Sequence, residues 1–340
     1  MSLKKKNTIF LSIVAVAFAL LYWTGTFAKG PIQHTGLGRS PVLSPDGKEL
    51  LFPYDKNGES ALYTAPASGG KAELLLEPKT MDSYVHPAYS PDGTKLLYIK
   101  EYKVEGKPYN QLMMYDMLKK KSQPLQDIDH YISEAVFGPD GKQVYYTEAK
   151  SYQNNTNGDG MFAKDFDIYQ MNLDTYETKQ LTKRKLFSLS GLQMTSEGKY
   201  LLFSLYNGEN LVQRMNLETK KVETITPEPE YKSAAQDGPN IGSPALSPDG
   251  TRIAFSDVAS KNDRGTYQYE VFTMKVSGEN VQQVTKFKEH VTEPVFFPNG
   301  KELLVTVDQN FAGRRPDYEY WRISTDGKDR KEIIIELPEE

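Results

Sequence analysis

Ser44-Pro45-Asp46-Gly47 recurs unchanged at Ser90-Pro91-Asp92-Gly93 and at Ser247-Pro248-Asp249-Gly250. Gly138-Pro139-Asp140-Gly141 and Phe297-Pro298-Asn299-Gly300 differ by one or two residues, and Thr195-Ser196-Glu197-Gly198 is a degenerate copy. First residues are spaced 46, 48, 57, 52 and 50 apart, a period that marks a repeat architecture. Each copy is built to turn the chain: Pro presets φ, Asp bonds back to nearby backbone, and Gly takes positive φ. An apolar run enters each turn, as in Ala135-Val136-Phe137. A β run leaves it, as in Leu50-Leu51-Phe52, Leu96-Leu97-Tyr98 and Leu201-Leu202-Phe203. A third run (Leu62-Tyr63, Met114-Tyr115, Ile168-Tyr169) and a fourth ending in pairs such as Leu181-Thr182 complete the unit. Four short strands in about 50 residues, repeated six times, predict an all-β, six-bladed β-propeller of four-stranded blades over residues 37–338.

Composition agrees. The 340 residues include 22 Tyr and 15 Phe, which favour strands, with 25 Gly and 20 Pro for turns. Forty-one basic against 45 acidic side chains give a net charge of −4, so no positive field exists to hold nucleic acid. The absence of cysteine excludes disulfides, thiolate metal sites and a cysteine nucleophile.

The Ser-Pro-Asp-Gly-Lys/Thr turn followed by an apolar pair and an aromatic resembles the TolB-type β-propeller repeat family, over almost all of the chain after residue 36. That resemblance implies the propeller. It does not choose a function, because such propellers serve as partner-binding scaffolds, as lid domains of serine peptidases and as sugar-acid lyases. The separate domain that precedes the propeller in TolB is expected to be missing here.

Residues 1–6 read as a basic cytoplasmic tail, through Lys4, Lys5 and Lys6, and residues 7–28 as an uncharged signal-anchor or transmembrane helix. Thr8 to Phe27 amounts to roughly 30 Å of helix, about one bilayer core. A signal peptide cleaved after Ala28, at Thr26-Phe27-Ala28, is the competing reading. Residues 29–36 form a linker. Either way the propeller lies outside the cytoplasm, held at the cell membrane by a single pass or secreted. Glu332–Leu337 is expected as the outermost strand of the last blade, which leaves no strand shared between the termini to close the ring; Ile32-Gln33-His34 is a candidate addition to a blade edge.

The strand 1–2 and 3–4 turns, on one face, are tight. The other face holds the long connections: Lys150–Asp167, Asp257–Tyr269, Asp308–Asp317 and Pro227–Asn240. Long loops on a rigid scaffold carry binding more often than tight turns do. On that face the aligned residue four before each turn is Ser40, His86, Glu134, Gly191, Ser243 or Glu293, which predicts a polar ring at the channel mouth, with His130 and His290 just upstream. The ring reads as a solvated funnel or as a site for a cation or polar ligand. Opposed Glu134 and Glu293 are too far apart to flank one glycosidic bond at roughly 5–9.5 Å, so no catalytic residue is assigned. Gly-x-Ser-x-Gly and His-Glu-x-x-His are absent, and no hydrolase-like segment follows the repeats, which sets aside the peptidase branch.

Asn155, Asn157 and Asp159 partly match a calcium loop, but Phe166 occupies the twelfth position where a bidentate Glu belongs. A divalent cation there is the one cofactor considered; none is required. Gly313-Arg314-Arg315-Pro316 is a basic spot suited to anionic headgroups or a wall polymer, or simply a solvated loop. The sequence therefore points to a non-enzymatic binding or scaffold module for a protein, peptide or envelope polymer on the long-loop face. The alternative is a metal-assisted lyase or hydrolase acting on an acidic or sugar-derived substrate.

Overall fold

A computed structural model describes residues 3–26, 34–79, 82–104, 107–127, 131–155, 160–206, 210–236, 238–313 and 315–338. The chain is an all-β propeller preceded by one helix, Leu3–Thr26. The turn signature does what its chemistry requires. In each intact copy the Ser hydroxyl donates to the Asp carboxylate, as from Ser44 Oγ to Asp46 Oδ1 at 2.7 Å, while that oxygen accepts the N–H two residues on. These bonds hold Asp46 and Asp92 down at about 2, with the Ser hydroxyl the largest cause in both.

The turns also touch one another. A Cβ on Gly47 would lie 2.7 Å from Pro298 Cδ, one on Gly198 2.7 Å from Pro139 Cγ, and one on Gly93 3.7 Å from Pro45 Cδ. A proline of one turn thus rests on the glycine of the next, and the last repeat reaches round to the first.

Within a repeat the strands are antiparallel neighbours in chain order. The second runs Ser83–Tyr89, Lys95–Val104, Lys107–Asp116, Lys121–Pro124, and the third Tyr131–Phe137, Gln143–Asn154, Met161–Asn172, Thr178–Gln180. The fourth runs from Ser188–Met194 to Val222–Ile225. The sheets do not separate into six four-stranded units. The first has five strands, because its inner edge is split between Gly36–Leu37 and Val42–Leu43. An eight-stranded sheet runs from Gly242–Leu246 to Arg330–Glu332, its two antiparallel halves joined by one parallel bridge, Tyr269 to His290.

The cores lie between sheets. Each sheet buries apolar side chains on both faces, so consecutive sheets stack like pages. Leu97, Ile99 and Leu112 of the second sheet pack on Val144, Tyr146 and Met171 of the third. Leu304, Tyr320 and Ile333 of the last strands pack on Leu50 and Phe52 of the first. In that closing core Phe52 and Tyr320 meet edge to face at 5.8 Å, and the Tyr320 hydroxyl donates to the Gly38 carbonyl at 2.6 Å.

Closure differs from the expectation. Arg330–Glu332 is the outer strand of the last repeat, whereas Ile335–Glu336 crosses over and pairs in parallel with Gly70–Lys71 of the first sheet. Gly70 and Ala72 donate to Ile334 and Glu336 carbonyls at 2.9 and 2.8 Å. At the other end Gly36–Leu37 joins the inner edge; Ile32 and Gln33 lie outside the described residues, and His34 Nε2 donates to the Leu37 carbonyl at 3.0 Å.

The N-terminal expectation is met only as a helix. Among the described residues no helix is long and apolar enough to cross a membrane.

Candidate functional site

The residues aligned by the sequence occupy equivalent positions, but the positions are β-bulges. Ser40, His86, Ser243 and Glu293 have φ of 61°, 49°, 44° and 52°, and Gly191 has 64°. The inner strands slip register there, between Val85 and Ala88, Ser190 and Gln193, Gly242 and Ala245, Thr292 and Val295. Left-handed backbone at a non-glycine residue costs about 1–3 kcal/mol and persists only where the surroundings enforce it. Glu134 departs from the pattern, its strand slipping one residue earlier, between Ile132 and Glu134.

The two glutamates bond across to neighbouring repeats. Glu134 Oε2 accepts the N–H of Leu192, in the next repeat, at 2.7 Å. Glu293 Oε2 accepts the N–H of Ser40, in the first repeat, at 2.7 Å, and its Oε1 pairs with Arg39 at 2.6 Å. Each glutamate therefore fastens its blade to the next one, a role the expectation of a ligand-facing ring does not contain. Ser243 is tied in the same direction, its hydroxyl 3.1 Å from that of Thr292.

Two residues that sequence reasoning missed do the same work. Asn110 brackets Ile132 in the following repeat, with its amide bonded to both the carbonyl and the N–H. Gln193 donates to the Pro244 carbonyl and accepts from Leu246 N–H at 2.8 Å. No motif marks either residue, since their partners are backbone atoms.

His290 sits in an aromatic slot, stacked on Phe311 with centroids 3.9 Å apart and edge-on to Tyr269 at 4.7 Å. Burial, with the Arg39 charge adding to it and Asp308 opposing, pushes its imidazole down to about 4, so it is neutral at pH 7. His86 is half-buried at its bulge; His130 lies outside the described residues. Among the described residues no group of three or more His, Asp or Glu has metal-holding geometry. Of the calcium-like loop, Asn155 is described and its N–H bonds the Gly160 carbonyl at 2.9 Å; Asn157 and Asp159 lie outside the described residues, as does Arg314.

Most of the long connections are ordered extensions of the sheets. Gln143–Asn154 and Met161–Asn172 stay paired out to Asn154 and Met161, and Arg252–Lys261 pairs with Tyr267–Lys275 out to Lys261 and Tyr267. The Pro227–Asn240 link is pinned by buried Asp257, which accepts from the Tyr231 and Ser233 hydroxyls and from Asn240 N–H at 2.9, 2.9 and 3.0 Å.

A further concavity is on the opposite face. A cavity of about 380 Å³ opens among the Pro-Asp-Gly turns, lined by Val42, Leu43, Tyr89, Phe137, Met194 and Leu246 from five repeats and rimmed by turn prolines. These are the apolar pairs that enter each turn, a signal present in the sequence but read there only as strand. The lining is largely apolar, with Ser90, Gln193, Ser196 and Ser247 as its polar members, which suits an apolar side chain better than acid–base chemistry.

No family model matches the chain. Among curated proteins it is 24% identical over 241 residues to the uncharacterized peptidase YuxL of Bacillus subtilis, covering 69% of this chain and 31% of that protein. The chain thus spans about a third of the length of that relative. The fold has solved counterparts. TolB from Acinetobacter baumannii superposes with a TM-score of 0.58 at 20% identity, over 91% of this chain and 66% of that one. The fold is a TolB-like β-propeller. Oligogalacturonate lyase from Vibrio parahaemolyticus superposes with a TM-score of 0.53 at 14% identity, over 86% of this chain and 90% of that one. These likenesses speak to architecture alone.

Proposed function

We propose that the chain is a non-enzymatic binding propeller that receives an apolar segment of a protein or peptide partner in the turn-face cavity. The observation that carries this reading is the apolar lining drawn from five inner strands, against glutamates whose carboxylates are occupied by neighbouring repeats. The eight-stranded sheet counts as two repeats, which makes six blades. The lysines before the uncharged N-terminal run address the propeller to the outer side of a membrane, where the partner is sought.

The second reading, a metal-assisted lyase acting on an acidic sugar, draws on the lyase neighbour and on an oligogalacturonate lyase solved in complex with manganese, at 13% identity and TM-score 0.51. Among the described residues His34, His86 and His290 belong to no group of three or more side chains that could hold a metal, and His290 stacks on Phe311.

A photo-crosslinking residue placed at Met194 in cells tests the proposal. A discrete protein adduct is expected, lost when Leu246→Glu puts a charge in the cavity. Adducts forming only from Met161, on the hairpin face, would place the partner there instead and reject the cavity.

A further inference from the structure

The face opposite the cavity carries a pattern of its own. Phe187, Tyr206 and Phe311 are 50%, 46% and 44% exposed, and all three sit where strands end on the hairpin side. Phe187 precedes the strand Ser188–Met194, whose first residue pairs with Tyr206, and Phe311 lies in the connection between Glu302–Asp308 and Tyr318–Ser324. Phe187 extends a chain of rings, 5.7 Å from Phe162 and 6.4 Å from Tyr206. Exposed lysines stand beside these rings: Lys183 and Lys185 just before Phe187, and Lys288 just before His290, on which Phe311 stacks. Aromatic tips flanked by lysine match the chemistry of a bilayer interface, where rings seat at headgroup level and cations meet anionic lipid.

The chain itself leads to the same face. Gly36 pairs with Asp55, next to the Asn57-Gly58 end of the first hairpin, and Asn57 N–H donates to Thr35 Oγ1 at 3.3 Å. The N-terminal segment therefore leaves the propeller on the hairpin side. From His34 back to Thr26 the chain can reach at most about 28 Å. The helix at its end exposes Phe10, Leu11, Ile13, Val16 and Phe18, with Lys5 and Lys6 at its start. An apolar, basic-tipped helix on a short leash holds whatever surface it enters close to the aromatic face.

We propose that the hairpin face, through Phe187, Tyr206 and Phe311 with Lys183, Lys185 and Lys288, docks flat on an anionic phospholipid surface. This orientation turns the turn-face cavity away from the lipid. A surface contact of this kind does not require the helix to span the bilayer, and it is independent of what the cavity binds.

The cysteine-free sequence permits a direct test on the full chain. A fluorophore is attached at Met161→Cys, on the hairpin tip, or at Lys328→Cys, in a tight turn on the other face. Each protein is mixed with vesicles of phosphatidylglycerol and brominated phosphatidylcholine, or of brominated phosphatidylcholine alone. Docking quenches the Met161→Cys label and spares the Lys328→Cys label, only with phosphatidylglycerol present. Each lysine is worth about a fivefold change in lipid partitioning, so Lys183→Gln with Lys185→Gln raises the phosphatidylglycerol needed for half-quenching roughly 25-fold. Equal quenching of the two labels, or quenching indifferent to anionic lipid, overturns the proposal. A circular dichroism melt of each variant keeps misfolding from being mistaken for lost docking.

Discussion

His290 offers the sharpest quantitative prediction because its burial fixes both the sign and the size of a pH effect. In the folded chain its imidazole is held at about 4, against an ordinary value of 6.5, by burial between Phe311 and Tyr269 and by Arg39, with Asp308 opposing. Between those two values the unfolded chain carries a proton on this residue and the folded chain does not. Unfolding then takes up a proton, so stability falls with acidification, at up to about 1.4 kcal/mol per pH unit. The contribution is fully present above about pH 6.5, is lost progressively down to about 4, and changes no further below it. Across the window it amounts to about 3 kcal/mol, a large share of a typical folding free energy of roughly 5–15 kcal/mol. Urea unfolding of the wild type and His290→Gln at pH 7.5, 6.5, 5.5 and 4.5 isolates it, since the carboxylates titrate alike in both. His290→Gln should be the less stable protein at pH 7.5, having lost a ring stack worth about 0.5–1.5 kcal/mol beyond its packing. The gap should close or invert by pH 4.5. Parallel pH dependences for the two proteins would mean that the imidazole is accessible to protons in the fold, and the aromatic slot would be wrong.

Two further substitutions test how the ring is held. Glu293→Ala strands the Ser40 N–H and the Arg39 guanidinium at the seam between the last and first repeats, and should cost about 1–3 kcal/mol by denaturant titration. Glu293→Gln, which keeps an acceptor for Ser40, should recover most of that loss, and equal losses in the two would remove the Ser40 bond from the account. Gly278→Ala should cost at least about 1–3 kcal/mol, because φ is 92° there and a Cβ would collide with the Thr226 carbonyl. A melt unchanged from wild type would show that the Pro227–Asn240 link does not pack against that turn.

What the sequence made legible is what its bonds make local. Ser44 Oγ reaches Asp46 and the Lys48 N–H reaches the same carboxylate two residues back, so the turn is written in a tetrapeptide and its period gives the repeat. The aligned positions fall at bulges, with Glu134 just after one, whereas the bonds their side chains make cannot be read from the sequence. Glu134 and Leu192 are 58 residues apart, Glu293 and Ser40 253, and the partner in each case is a backbone N–H that any residue supplies. A polar residue aimed at backbone is indistinguishable in sequence from one aimed at a ligand. Lys150–Asp167 looked like a loop because its middle is polar, yet polar residues pair their backbones as well as apolar ones when the hairpin stands clear of the core. The strand at Ile335–Glu336 lies within the expected Glu332–Leu337, but its pairing with the first repeat was not legible because Gly70–Lys71, its partner, carries no strand signature.

The same bonding economy argues for how the molecule recognises a partner. A site that moves protons or holds a cation needs polar groups with unspent hydrogen-bonding capacity aimed into a cavity. Glu134, Gln193 and Glu293 on the inner strands, and Asn110 on the third strand of its repeat, direct theirs to the next repeat, which is how strained bulges at Ser40, Ser243 and Glu293 are held. The cavity at the other end of those strands is edged by prolines resting on neighbouring glycines and lined by Val42, Phe137, Met194 and Leu246. Its selectivity must then come from shape and from the exclusion of water, at about 25 cal/mol for each Å² of apolar surface a partner buries there. A single Leu246→Glu substitution therefore attacks the one property such a site has, while leaving every blade-to-blade bond in place.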